Sequence, residues 1–140
     1  MKASKLKTLA AVALALGAGS AVAALPAIRH QGEVAYLTGG VGQLESESIL
    51  QAAPRFPLAL EFVRKAAPHD EYLANVAVKV SDRRGRDLLD VTAEGPFLLA
   101  RLPSGEYTVK ATFEGRTLQR QVHVAEHASA RTVFVWPAQP

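Results

Sequence analysis

The chain of 140 residues contains no cysteine. That absence excludes a disulfide framework and removes the acylated residue that a lipoprotein needs at its cut site. It also removes every thiol nucleophile. No Gly-x-Ser-x-Gly elbow takes its place, and no Ser, His and Asp are placed as a triad, so nucleophilic catalysis has no foothold and the sequence reads as non-enzymatic. Acidic residues are missing from positions 1–23, and no charge of either sign occurs from Thr8 to Ile28.

What occupies that front end is a leader pattern. Lys2, Lys5 and Lys7 make a positive start, residues 8–18 an apolar core, and Gly17, Gly19 and Ser20 a helix break. Ala21 and Ala23 supply small side chains at alternate positions, so the expected signal-peptidase cut follows Ala23, with a cut after Ala24 as the alternative. The uncharged stretch is just long enough for a bilayer core of ~30 Å. Its Gly and Ser break and its alanine-rich make-up favour cleavage over a retained anchor. The expected destination is the periplasm, with secretion as the alternative and no stable membrane anchor after cleavage.

Removing the leader changes the charge. The whole chain has sixteen basic and thirteen acidic residues and a pI near 9.4. Three of the basic residues lie in the leader, which leaves thirteen against thirteen. A nucleic-acid partner, which needs a clustered basic excess, is therefore not expected. A remainder of this size buries roughly two-thirds of its unfolded surface, enough for one domain.

The remaining chain is expected to have a flexible start at 24–32 and a single domain over 33–137. Residues 33–37 read as a short strand entering the turn Thr38-Gly39-Gly40-Val41-Gly42. Leu44, Ile49, Leu50 and Ala53 approximate helical spacing over 44–53, with Glu45 and Glu47 in the first turn and Pro54 as terminator. Beyond Pro57 the apolar period becomes two. Strands are expected over 58–63, 76–80, 88–92, 97–100, 106–113, 118–124 and 131–136, with a polar loop at 64–71, a charged turn at 82–87 and a turn at Glu114-Gly115. The expected fold is mainly β: an antiparallel sandwich of about seven to eight strands with one short helix near its front.

Residues 72–124 carry YLANVAVKVSDRRGR and then VTAEGPFLLARLPSGEYTVKATFEGRTLQRQVHV. Gly95 followed by Phe97, and Leu102-Pro103-Ser104-Gly105-Glu106-Tyr107-Thr108-Val109, resemble the Gly-x-Phe and Leu-Pro-x-Gly-x-Tyr-x-Val signatures of the carboxypeptidase regulatory-like domain, a transthyretin-like sandwich. The front half resembles the start of small uncharacterised exported bacterial proteins that carry the same sandwich. The resemblance implies an accessory module rather than a chemistry. The enzymatic branch of the transthyretin fold, hydroxyisourate hydrolase, carries a Tyr-Arg-Gly-Ser C terminus, whereas this chain ends Phe-Val-Trp-Pro-Ala-Gln-Pro. A Tyr at such a corner commonly ties its hydroxyl to backbone a few residues upstream, which assigns that role to Tyr107.

Four features carry binding chemistry. Gly39, Gly40 and Gly42 precede a helix, where backbone N–H groups attract anions, but the loop lacks the Gly-Lys-Ser/Thr ending of a Walker A sequence and sits in no βαβ unit, so it reads first as a turn. It is nevertheless the expected place for a ligand or partner. Arg120 falls on the apolar side of its strand between Leu118 and Val122; it would pair with Glu61, Asp82 or Asp90 if buried, or snorkel at a sheet edge. His123 and His127 are four apart, yet one ends a strand and the other lies in a turn, and His30 and His69 are remote, so no metal site is expected. Arg83, Arg84 and Arg86 form a hairpin tip flanked by Asp82 and Asp87. The expected function is a cofactor-free binding or accessory module for another protein or an envelope component, the alternative being a periplasmic protein that binds a small molecule, an anion or a metal.

Overall fold

Residues 24–140 are described by the computed structural model of the chain, so the expected leader, with Ala21 and Ala23, lies outside the described residues. The secondary structure runs β1 (Arg29–Gln31), β2 (Val34–Gly39), α1 (Gln43–Ala52), a 3-10 turn (Ala53–Arg55), β3 (Leu58–Arg64), β4 (Glu71–Tyr72), β5 (Val76–Ser81), β6 (Asp87–Ala93), β7 (Phe97–Arg101), β8 (Gly105–Phe113), β9 (Arg116–Val124) and β10 (Ala130–Trp136). All eight expected strands are present, and two more raise the number among the described residues to ten. β1 lies within the stretch assigned to the flexible start, and β4 touches the polar loop. Both are short and exposed, so neither has an apolar alternation to read.

The strands form two sheets. The first has the order β1-β2-β7-β3-β10, with β4 also pairing with β3; the second has the order β6-β5-β8-β9. Every pairing is antiparallel except one. β10 lies parallel to β3, from Ala130 beside Leu58 to Trp136 beside Arg64. This corrects the all-antiparallel expectation, and its cause is the connection: residues 65–129 hold β4 and β7 of the first sheet and all of the second, long enough to bring the chain back in the same direction.

β3 is central and apolar on both faces, as a strand covered on both sides must be. Leu58, Leu60 and Phe62 join Val78, Val80, Leu89, Val109 and Phe134 in a core shared by residues of both sheets. On the opposite face of the first sheet, Ala59, Leu99 and Phe97 meet Ile49 and Ala52 of α1 in a second apolar cluster. The helix begins and ends within a residue of its expected bounds, and of the four apolar residues at approximate helical spacing Leu44 points to solvent. Trp136 closes the far edge, its Nε1 donating to the Arg116 carbonyl at 2.9 Å.

Candidate functional site

The glycine turn is positioned by two close approaches. A Cβ on Gly95 would lie 2.4 Å from the Gly39 carbonyl oxygen, and one on Gly40, whose φ is +102°, would lie 2.4 Å from the Phe97 ring. Just before the turn, the buried Thr38 hydroxyl donates to the Phe97 carbonyl at 2.8 Å and accepts from the Glu94 amide at 3.0 Å. Gly42 then leads into α1, and its carbonyl accepts from Ser46 N at 3.1 Å.

Both backbone polar groups of Gly40 are engaged. Gly40 N donates to the Glu45 carboxylate at 2.7 Å, and Ser46 Oγ donates to the Gly40 carbonyl at 2.5 Å. The Gly40 N–H is thus taken by a carboxylate from the following helix, while no side chain caps the helix start at Gly42. α1 carries Glu45 and Glu47 and no basic residue. An incoming phosphate would meet two negative charges at this helix start.

Beside the turn lies a groove of about 610 Å³. Its origin is in the sheet. β3 has two antiparallel partners placed end to end, β7 along Leu58–Glu61 and β4 along Val63 and Arg64. β2 accompanies β7 as far as the pair Gly39 and Phe97 and then leaves through Gly40–Gly42 into α1. The lane that β2 would have continued along, beside β4, is left open. Val41 and Tyr72 stand on its two sides, 69% and 57% exposed, and Leu50, Leu73 and Pro96 line it. The Tyr72 ring leans on Phe97 with centroids 5.7 Å apart. Glu47 is the charged residue in the lining, and its carboxylate accepts from the Gln43 side-chain amide at 3.0 Å.

Of the residues singled out in the sequence, Gly40 and Gly42 line this groove and Gly39 buttresses it. Arg120 is elsewhere, on β9 at the edge of the second sheet. It is exposed, its guanidinium 5.6 Å from the centre of the Phe134 ring and Nη1 donating to the Gln119 carbonyl at 3.0 Å. This is the snorkelling arrangement, with the cation lying over an aromatic face. Glu61 and Asp82, offered as its partners, engage Arg131 at 3.1 Å and Arg86 at 2.9 Å instead. Asp90 lies on β6, at the opposite edge of the same sheet.

His123 faces outward and its Nδ1 meets the Glu106 carboxylate across the β8–β9 pair. His127 occupies the next turn with φ 60°, and among the described residues no cluster of three or more metal-ligating side chains forms. At the β5–β6 turn, Asp82 accepts from Arg84 N at 2.9 Å, Arg86 N at 3.0 Å and Arg86 Nε at 2.9 Å. The bond from the Arg86 backbone leads the causes that hold its carboxyl below the usual carboxylate range. Lys79 reaches Asp87 at 3.9 Å. The arginine turn is thus organised by Asp82, while Asp87 pairs with Lys79.

Tyr72, Leu73 and Leu50 had no signal in the sequence as site residues. Their association depends on which strand lies beside which. The break at residues 94–96 was visible, but not that it would set a limit to β7 opposite the end of β2. Comparison with protein-family models, with curated proteins and with solved structures finds no match for this chain.

Proposed function

We propose that the chain is an exported binding module whose partner, a protein of the cell envelope, docks in the groove between the glycine turn and Tyr72. The observation that carries this reading is the exposure of Val41 and Tyr72 on either side of an open apolar recess, because large apolar side chains concentrated around one concavity mark interaction sites on soluble domains. Export rests on the leader pattern of residues 1–23. Binding rather than catalysis is supported by the state of the groove's polar groups: the Ser46 hydroxyl is committed to a backbone carbonyl, and Glu47 has no histidine beside it in the lining.

The fold reading that accompanies this function is a transthyretin-like β-sandwich of the carboxypeptidase regulatory-like kind. Two sheets contributing to one apolar core support it. So does the corner at Leu102–Tyr107, where the Tyr107 hydroxyl donates to the Pro103 carbonyl at 2.6 Å.

The test is capture from the envelope fraction with the purified exported protein and with its Val41→Asp variant. One stoichiometric partner, recovered by the parent protein and lost with the exposed charge, is the expected result. Equal recovery by both would dismiss the groove. Micromolar binding of a divalent metal or an inorganic anion in calorimetry would favour a small-ligand protein instead.

A further inference from the structure

We propose, on the groove reading above, that the occupant is an extended peptide segment carrying a basic side chain, which adds as a strand to the free edge of β4. Three observations lead there. The first is the backbone. Leu73 N donates to the Phe62 carbonyl at 3.1 Å, so Leu73 faces β3. In an antiparallel ladder alternate residues face opposite edges, and Tyr72 therefore turns its N–H and C=O away from β3 into the open lane. Neither group has a partner among the described residues. An exposed pair of this kind is what strand addition uses.

The second observation is shape. The lane is bounded by β4 on one side and by the departing turn at Val41 on the other, with α1 over one face. Tyr72 pairs with Val63, on the same face of the sheet as Ala59, which α1 covers. Alternate side chains of an added strand would project toward the Tyr72 ring and Leu50, so that face of the peptide is apolar.

The third is charge. Glu47 borders the groove with only an amide donor on its carboxylate, α1 contributes no cation, and Glu45 is held by Gly40 N. Glu71, next to Tyr72, is neutralised by Arg64 at 3.1 Å. Glu47 is thus the carboxylate left to select, and it selects Lys or Arg.

The experiment uses the purified exported protein, isotopically labelled, titrated with a library of blocked seven-residue peptides that alternate apolar and polar positions, with Lys or Glu at the central polar position. Expected are slowed hydrogen exchange at the Tyr72 amide with Lys members, affinity at least about tenfold above the Glu counterparts at low salt, and a difference that shrinks as salt rises. Backbone N-methylation of the peptide should abolish binding. Glu47→Gln, on an exposed helix surface, should erase the Lys preference while leaving the protein folded and still able to bind. If no member protects the Tyr72 amide, or N-methylated peptides bind as well, strand addition is wrong. Should envelope capture still depend on Val41 in that case, the groove reading survives it; should capture also be indifferent to Val41, both fall.

Discussion

Thr38 is the buried polar side chain among the described residues, and it satisfies a carbonyl and an amide at once. Thr38→Val keeps the shape and strands both partners, so a loss of about 1–3 kcal/mol is expected from urea unfolding; an unchanged midpoint would mean that water replaces the hydroxyl. Gly40 is constrained more severely. Gly40→Ala places a methyl against Phe97 in a backbone region that side chains rarely adopt, and strain with overpacking should cost roughly 2–4 kcal/mol. Because the same turn forms one wall of the groove, peptide or partner binding should weaken with it. Tyr107 gives a pH prediction. Burial raises its hydroxyl above the ordinary value. The folded state therefore prefers the neutral phenol, and the stability tied to it is complete below about pH 10 and is lost as pH rises through the folded-state value. Tyr107→Phe should be about 1 kcal/mol less stable at neutral pH, and its unfolding midpoint should fall less steeply than the parent's above pH 10.

At the scale of elements, legibility follows from burial. Strands such as Val76–Ser81 announce themselves because one face is apolar and the other is not. β1 and β4 carry no such contrast, and the lane between Val41 and Tyr72 has no sequence signature, since it exists only where two strands of different origin end at different heights. The helix shows a partial reading. Leu44 and Ile49 belong to the same approximate helical spacing, but five residues at about 100° each put them roughly 140° apart. With Ile49 inward, Leu44 must face out. Ile49→Ala, which empties the contact between α1 and the first sheet, should cost ~2–5 kcal/mol in thermal or urea unfolding. Leu44→Ala should stay within about 0.5 kcal/mol. Equal effects would mean that the helix packs differently. Arg120 divides in the same way: its place on the apolar side of its strand is legible from the alternation, but the edge position of β9 and the Phe134 face beneath it depend on which strands pair.

For the whole molecule, the proposed export has a chemical signature. N-terminal sequencing of the protein recovered outside the cytoplasm should begin at Ala24, or at Leu25 for the alternative cut, and the mature chain should focus near neutral pH rather than near 9.4. A first residue of Met1 on exported material would mean a retained leader. The parallel β3–β10 pairing adds a property of the chain as a process in time. The strand that covers the outer edge of β3 is β10, and its final residue, Trp136, also reaches across to Arg116. A chain delivered from its N-terminal end holds β3 open on one side until β10 has followed some seventy residues later. Closure of the first sheet therefore waits on β10, and a truncation that removes Ala130–Trp136 would leave an apolar strand edge exposed to pairing with other chains.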